Sequence, residues 1–421
     1  MVDFLGMGQL EQHHIVVYSL QGVKDPLFSG LIYTYLKQLN IHKTYHFHVI
    51  THEQAAYSYT SEEETLLRDE MKEYSISWYP VQYHTGKLVL LNRLKDFLQS
   101  IRYASYIQKH YKPRLILGYL VIAGGFAYLL SRLFNWPFAL YCFEPHSEYM
   151  LDFGTWSKSS LKYRILNFIE KLEVRSAEYL TVPTSHTEAL VRSWKPKAKQ
   201  IFTVPISIDT DKFMFDEAFN ERFRAQHGLS NREIWLYVGK FDGIYYSAKE
   251  VAAFYKTAIR LNPKIFGLLI TTLPKKEVEE AFYSVGLTHE HVLVLDKVPY
   301  SEIDKFISVA DLGIVAIPPL PSQKFRTPVK VGNYLSCGVP YLIVRGIADD
   351  DALAEMERVG VVCESLSDKD IEEAMPRIQL LLSSPPSLLR ERCRHTAIKF
   401  RGLHNSVIVL NEIFRKIIAK Q

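Results

Sequence analysis

The residues best suited to chemistry lie at the start of a predicted helix in the segment 327–340, TPVKVGNYLSCGVP. Thr327 is expected to cap this helix, Pro328 suits its first position, and Gly338 ends it. Lys330 then lies in the first turn, where free N–H groups and the helix dipole already favour anions. A lysine is unfavourable there unless a negative group lies opposite. The segment therefore predicts phosphate binding, with an ordinary solvated lysine as the alternative.

The elements around this helix would place it at a crevice. Short apolar runs at 314–317 and 341–344 read as strands, and a polar, proline-rich loop at 318–326 joins the first of them to the helix. Strand, helix and strand in this order form a βαβ unit, which binds ligands beyond the carboxyl ends of its strands. Lys330 is expected to lie at that edge.

The same alternation runs through the whole chain and predicts an α/β protein with two parallel sheets. A long helix is expected at 153–175, and the box of Ser185 and Glu188 is expected to start another. The predicted domains are 1–203 and 204–396, followed by a helix at 397–421 that crosses back to the first domain. The predicted strands are 15–18, 45–50, 115–117, 138–142, 179–182, 234–238, 266–271, 292–295, 314–317 and 341–344.

Composition excludes several classes of protein. With 421 residues, 48% hydrophobic and 23% charged, the chain has the length and balance of two globular domains. A net charge of +4 is too small to indicate nucleic-acid binding. No signal peptide or apolar run of about 18 residues is present. Four widely spaced cysteines without a CxxC pair indicate free thiols, and the expected location is the cytoplasm.

A basic stretch between residues 87 and 114 has two interpretations. It is predicted to be a helix that carries apolar side chains on its other face, and Asp96 is its one acidic residue. It is either a solvated surface or a patch that faces anionic lipid at the inner face of a membrane. The basic residues are Lys87, Arg93, Lys95, Arg102, Lys109, Lys112 and Arg114.

Three segments together resemble GT-B glycosyltransferases, most closely the family 4 retaining enzymes. Residues 204–209 with Phe213 resemble the interdomain V-P-x-G-I-D-x-x-x-F signature, and residues 237–240 resemble the strand ending in V-G-K. Residues 327–340 resemble the donor motif S-P-x-K-x-x-E-Y-L-A-x-G-x-P. The resemblance implies two Rossmann-like domains that face each other across a cleft.

The resemblance also implies roles for single residues. After a strand of the first half, His146 stands where the family commonly has a histidine that reaches into the cleft, with Glu144 beside it, although the segment could also be an ordinary turn. Lys330 would contact phosphate, so Glu144, His146 and Lys330 are the candidate catalytic residues. Gly30 stands where the family has a glycine-rich loop. The candidate donor-binding residues are Gly30, Gly239, Lys240, Thr327, Pro328, Lys330 and Asn333.

The implied reaction is transfer of a sugar, of hexosyl type, from a nucleoside diphosphate to a saccharide or lipid-linked acceptor. It would serve the synthesis of a surface polysaccharide or glycoconjugate, with retention of configuration assisted by the donor phosphate. Negative charge builds up on the departing diphosphate, and cationic groups with helix N–H donors can hold it. No metal or other cofactor is therefore expected. The cluster Asp349 to Asp351 is interpreted as a helix-capping loop rather than a magnesium site.

Several positions depart from the family pattern. Ser207 replaces a glycine, Asn333 replaces a glutamate that grips the ribose, and Phe325 stands where a second glutamate is usual. The lysine that commonly follows Gly239 is absent from residues 242–247. Two alternatives therefore remain: a nucleotide-sugar epimerase of the same architecture, and a non-catalytic relative that acts as a binding or scaffold subunit.

Overall fold

The computed structural model describes residues 12–420, except for positions 87–88, 142, 199, 242, 244 and 297. Two parallel sheets organise this part of the chain. The strands are β1 (His13–Ser19), β2 (Tyr45–Glu53), β3 (Ile76–Gln82), β4 (Leu115–Tyr119), β5 (Phe138–Tyr141), β6 (Tyr179–Val182), β7 (Gln200–Thr203), β8 (Glu233–Val238), β9 (Ile265–Ile270), β10 (Val292–Leu295), β11 (Leu312–Val315), β12 (Tyr341–Val344) and β13 (Gly360–Cys363).

Helices connect successive strands, as parallel pairing requires. Shorter π and 3-10 helical turns lie at Phe28–Ile32, Ala55–Tyr57, Tyr300–Glu302, Pro321–Phe325 and Ala397–Arg401. The α-helices are α1 (Tyr33–Leu39), α2 (Ser61–Glu73), α3 (Val89–Tyr111), α4 (Val121–Phe134), α5 (His146–Asp152), α6 (Leu161–Ser176), α7 (Ser185–Ser193), α8 (Glu217–Gln226), α9 (Ala248–Leu261), α10 (Lys275–Ser284), α11 (Ile303–Ile307), α12 (Val329–Ser336), α13 (Asp350–Met356), α14 (Asp368–Leu382), α15 (Pro386–Thr396) and α16 (Leu403–Ile418).

Both sheets have the strand order of a Rossmann fold. The seven-stranded sheet runs β3-β2-β1-β4-β5-β6-β7, and the six-stranded sheet runs β10-β9-β8-β11-β12-β13. The order reverses between β1 and β4 in the first sheet and between β8 and β11 in the second. Ligands of such folds bind at these reversals, beyond the carboxyl ends of the strands. The predicted parallel α/β architecture is confirmed.

The strands are recognisable in the sequence because helices cover both faces of each sheet. All residues of β4, β9 and β12 are buried, so these strands are continuous apolar runs without alternation. All ten predicted strands are present, and at the positions described their ends lie within three residues of the prediction, the largest difference being at the end of β2. Strands β3, β7 and β13 are not among the ten predicted strands. Strand β3 contains Pro80, which a strand tolerates here because β3 lies at the sheet edge.

The chain passes twice between the two sheets. After β7 it runs to the second sheet, and after α15 it returns, so that Ile208 and Gly402 pair as a short parallel bridge. Helix α16 then buries Leu410, Phe414 and Ile417 in the same core as β1 and β2 of the first sheet. The predicted boundary at residue 203 falls at the end of β7.

Two helix predictions were wrong in detail. The helix expected at 153–175 begins only at Leu161, as α6, because α5 ends at Asp152, Gly154 adopts a positive φ of 64°, and Ser160 caps α6 by accepting from the Tyr163 amide. Thr184, not Ser185, caps α7, accepting from the Thr187 amide. Among the described residues, no helix has the length and apolar character needed to cross a bilayer.

Candidate functional site

The segment singled out by the sequence lies where the strand order of the second sheet reverses. Gly239 follows β8 directly, and the loop after β11 leads into α12. The helix begins one residue later than predicted, at Val329, with Pro328 as its N-cap. Thr327 does not cap it: its hydroxyl donates to the Pro183 carbonyl at 3.1 Å, across to the first sheet. Lys330 therefore lies in the first turn, as predicted.

Lys330 is a cation without a matching anion. Its Nζ atom is buried and has no hydrogen-bond partner among the described residues. It lies 5.1 Å from the ring centre of Tyr237 and 5.6 Å from that of Tyr245. Burial lowers the pKa of Lys330 to about 8, so the ammonium form still predominates at neutral pH. A Cβ atom at Gly239 would lie 2.8 Å from this Nζ, so the glycine leaves the ammonium its space.

One turn further along α12, Asn333 is also buried, and no residue that the structure describes is a hydrogen-bond partner for its Oδ1 atom. Its neighbour Tyr334 fixes the helix, because its hydroxyl accepts from the Val238 amide at 3.2 Å. Gly313 of β11 makes this possible, since a Cβ there would lie 2.4 Å from the Tyr334 ring. Two unsatisfied polar atoms, one cationic and one an acceptor, thus lie on a rigid helix at the cleft.

A second cluster faces this helix from the first sheet. Glu144 follows β5, and its Oε2 lies 3.3 Å from Nε of Arg326 in the loop before α12. The Arg326 guanidinium also lies 4.2 Å from the ring centre of Tyr149. Burial lowers the pKa of His146, and the positive Arg326 lowers it further, so the imidazole is neutral at pH 7. Burial raises the pKa of Glu144, while Arg326 opposes that rise.

Helix α5, which begins at His146, is held in place by a buried carboxylate from α6. Glu170 accepts hydrogen bonds from the Ser147 amide at 2.8 Å and from its hydroxyl at 2.5 Å. Burial raises the pKa of Glu170 to about 7. This contact anchors the first turn of α5, which begins at His146.

Lys240 and Gly30 are the two other predicted donor-binding residues. The Lys240 side chain is exposed and lies near Asp25, in the loop after β1. Burial raises the pKa of Asp25, and the positive charge of Lys240 opposes this rise. Gly30 lies half-buried in the π-helical turn Phe28–Ile32. The structure therefore brings together Gly239 and Lys330, and separately Glu144 and His146.

The loop before α12 is clamped against the first sheet. The Thr184 hydroxyl donates to the Lys324 carbonyl at 2.9 Å, and the Thr187 hydroxyl donates to the Phe325 carbonyl at 3.1 Å. The Ser322 amide donates to Asp152 at 2.5 Å. Because Arg326 and Lys330 follow this clamped loop, both cations have fixed positions between the sheets.

The carboxylates at 349–351 are engaged in protein contacts. Asp349 accepts from Ser185, Asp350 pairs with Arg401 at 2.7 Å, and Asp351 accepts from the Gly346 amide. Across residues 12–420, outside the short gaps, no three His, Cys, Asp or Glu side chains are grouped as metal ligands.

The geometry at the start of α12 is suited to an anion. An anion that reached Lys330 would meet its unpaired ammonium and the free N–H groups of the first turn of α12.

Arg326, Tyr245 and Glu170 were missed by sequence reasoning. Arg326 could have been found by the criterion used for Lys330, because it is a basic residue between the end of a strand and the start of a helix. Glu170 could not have been found in this way, because its partner Ser147 is 23 residues away in the sequence.

Solved structures match nearly the whole chain. Sucrose-phosphate synthase from Thermosynechococcus elongatus has a TM-score of 0.70 at 16% identity over 97% of this chain and 100% of its own. A glycosyltransferase from Rickettsia africae has 0.68 at 13% identity, covering 98% and 100%. HepE from Anabaena in complex with UDP and glucose has 0.66 at 14% identity, covering 97% and 100%. The chain has the GT-B fold.

The GT-B fold confirms the architecture that the three motifs implied: two Rossmann-like halves with a cleft between their strand ends. No protein-family model matches the sequence, and no curated protein matches it. Identities of 13% to 16% show a shared fold.

Proposed function

We propose that this protein is a glycosyltransferase that moves a sugar from a nucleoside diphosphate to an acceptor bound in the cleft. The observation that carries the proposal is the buried, unpaired ammonium of Lys330 in the first turn of α12, at the strand-order reversal. An isolated buried charge is costly, so the site is complete only with an anion. Two proteins of the same fold support this ligand class, since HepE was solved with UDP and starch synthase IV with ADP.

In the proposed complex, the diphosphate lies between Gly239 and the start of α12. Lys330 and the first N–H groups of α12 hold its oxygens, and Asn333 accepts from a ribose hydroxyl with its free Oδ1 atom. As the sugar leaves, charge develops on the diphosphate, and a fixed ammonium stabilises it without reorganisation. We propose that this cationic environment replaces a metal ion.

The residues after β5 are proposed to handle the sugar and the acceptor. His146 is neutral, so it offers one donor and one acceptor nitrogen to sugar hydroxyls. Arg326, anchored by Glu144, adds a second cation on the acceptor side of the cleft. No side chain is assigned as a nucleophile. We propose retention, with a donor phosphate oxygen accepting the proton of the incoming hydroxyl. The acceptor is a saccharide or a lipid-linked saccharide.

Calorimetry with a panel of nucleoside diphosphates tests the donor site. We expect one or more to bind, and Lys330→Met, which keeps the buried volume but removes the charge, to weaken binding by roughly tenfold to a hundredfold. Lys276→Met is the matched control, because its side chain is 89% exposed on α10. Absence of binding to every diphosphate would refute the proposal.

Turnover separates the remaining alternatives. Nucleoside-diphosphate sugars of the base that binds are incubated with and without saccharide acceptors, in the presence of EDTA, and released diphosphate is measured. Transfer to an acceptor supports the glycosyltransferase. Conversion of the sugar without an acceptor would identify an epimerase, and binding without any turnover would favour a binding subunit.

A further inference from the structure

Three helices on one face of the first sheet leave apolar side chains in solvent. Residues of α3, α4 and α6 bury their inner sides in a single core cluster, represented by Ala104, Ala127 and Val174. Their outer sides would be expected to carry polar residues. Instead, among the described residues of these helices, nine leucine, isoleucine or phenylalanine side chains are between 42% and 70% exposed.

The exposed side chains form one stripe on each helix. On α3 they are Leu91, Leu94 and Leu98, on α4 they are Ile122, Leu129 and Leu133, and on α6 they are Leu161, Ile165 and Phe168. Each set repeats at spacings of three, four, seven or eleven residues, so each occupies one side of its helix. We call these outer surfaces together the three-helix face.

The three helices lie against one another. Phe97 of α3 contacts Phe126 of α4, with ring centres 5.2 Å apart. Gly125 of α4 lies so close to α6 that a Cβ there would be 2.7 Å from Ile169. The exposed stripes therefore belong to one surface, and contiguous apolar surface of this kind marks an interaction site.

Charge on the three-helix face has one sign. The acidic residues of α3, α4 and α6 are Asp96, Glu170 and Glu173, and all three are buried. The exposed charged residues are all basic, and they are Lys95, Arg102, Lys109, Arg132, Lys162, Arg164 and Arg175. The face thus combines apolar side chains with positive charge and presents no carboxylate to solvent along these helices.

We propose that the three-helix face docks the protein on the surface of an anionic lipid bilayer. Apolar stripes flanked by lysine and arginine are the chemistry that binds such a surface, since the apolar side chains enter the acyl boundary and the cations remain at the headgroups. The interpretation of the basic stretch as a solvated surface does not account for the leucines, because they share that surface with the cations.

A second copy of the chain is a poorer occupant. A twofold interface brings the same patch of each subunit against itself, so the basic residues would face one another without carboxylates to pair them. A lipid surface supplies the missing negative charge. The proposal concerns a surface separate from the donor site and does not depend on the reaction assigned to the cleft.

Co-sedimentation with vesicles tests the docking. The full chain is mixed with vesicles of phosphatidylcholine alone or of phosphatidylcholine with phosphatidylglycerol. We expect binding to the anionic vesicles only, and weaker binding in 1 M salt, where the screening length falls to about 3 Å. No binding to anionic vesicles at low salt would overturn the proposal.

Matched substitutions assign the binding to this face. Phe168→Ser is expected to weaken vesicle binding by about tenfold or more, because a large apolar side chain no longer enters the bilayer. The double substitution Lys162→Gln and Arg164→Gln is expected to weaken it and to reduce its salt dependence. Leu380→Ser is the control, since Leu380 is 73% exposed on α14 of the second sheet.

Three results would contradict the assignment. The first is a loss of vesicle binding in Leu380→Ser equal to that in Phe168→Ser, and the second is unchanged vesicle binding in Phe168→Ser. The third is a concentration-dependent dimer in gel filtration that Phe168→Ser dissociates. Nucleoside-diphosphate affinity, measured by calorimetry on the same variants, should not change. Vesicle binding by a chain that binds no diphosphate would refute the proposed function and still support the docking.

Discussion

Burial lowers the pKa of Lys330 to about 8, so anion binding at the proposed donor site should depend on pH. The ammonium is retained at neutral pH, although its Nζ atom has no hydrogen-bond partner among the described residues. A bound diphosphate would stabilise the charged form and raise that pKa. Proton uptake and anion binding at this residue are therefore coupled.

The affinity for a nucleoside diphosphate should fall as pH rises above about 8. Below that pH the ammonium is already formed, and above it each binding event must also protonate Lys330, which costs up to about tenfold in affinity per pH unit. Calorimetry at pH 7 and pH 9, in two buffers of different ionisation enthalpy, measures both the affinity and the proton uptake. Lys330→Met should remove the uptake, and a wild-type affinity equal at both pH values would contradict the assigned role.

At the scale of elements, Arg401 holds together the two chain crossings and the start of α12. Its guanidinium donates to the Ile206 carbonyl at 2.9 Å and to the Pro328 carbonyl at 2.8 Å, and it pairs with Asp350 at 2.7 Å. Both charged side chains are almost completely buried. Burial raises the pKa of Asp350 to about 6, and Arg401 limits the rise. The arginine is thus a positioning residue for the helix that carries Lys330.

Arg401→Met should destabilise the protein by about 3 kcal/mol at pH 8, because it leaves Asp350 and two carbonyls without partners. The loss should be smaller at pH 5. Without Arg401 the folded pKa of Asp350 rises further above its unfolded value, so the native carboxyl is protonated at pH 5. Protonation of Asp350 stabilises the folded variant at pH 5, and this stabilisation is lost as pH rises through the folded pKa of Asp350.

Chemical denaturation at both pH values measures the effect of Arg401→Met. Arg345→Met is the control, because Arg345 pairs with Glu364 at an exposed site and should contribute about 1 kcal/mol or less. Equal losses in the two variants would show that the buried pair does not organise the crossing.

Ser207, which replaces the usual glycine of the family pattern, has hydrogen-bond partners where the chain crosses between the two sheets. The Ser406 hydroxyl of α16 donates to Ser207 Oγ at 2.8 Å, and the Tyr141 hydroxyl donates to Ser406 at 2.7 Å. The hydroxyl that replaces the usual glycine is therefore part of a buried network. The position is compatible with a side chain because a partner from the last helix meets it.

At the scale of the whole molecule, the end of the chain completes the first half. Phe414 of α16 is fully buried against Tyr45 and Phe47, with ring centres 5.5 Å and 6.1 Å apart. The Tyr45 hydroxyl donates to Asn411 at 2.6 Å. The last helix of the chain therefore belongs to the core of the first half.

Phe414→Ala should reduce the free energy of unfolding by about 3–5 kcal/mol, through lost burial and the cavity left behind. Ile408→Ala on the same helix is the control, since Ile408 is 61% exposed and should change stability by about 0.5 kcal/mol or less. Melting followed by circular dichroism compares the two. Similar melting temperatures in both variants would mean that α16 is not docked on the first sheet.

The sequence by itself determined the features that depend on neighbouring residues. Proline at 328, glycine at 338 and the flanking apolar runs are local signals, so they placed Lys330 in the first turn of a helix between two parallel strands. The same signals predicted ten strands and, with the family resemblance, the GT-B fold. They were wrong at the start of α7, where Thr184 is the N-cap and the Ser185 hydroxyl instead donates to Asp349 in the other half.

Only the tertiary structure decided which distant residues meet. Glu144 and Arg326 are 182 residues apart in the sequence. Thr327 does not cap α12, and its hydroxyl donates instead to the Pro183 carbonyl, 144 residues earlier in the sequence. The exposure of leucines on α3 also depends on what packs against that helix, which periodicity does not reveal. Local preferences are set by the backbone within a few residues, whereas these contacts follow from how the two sheets and the last helix pack together.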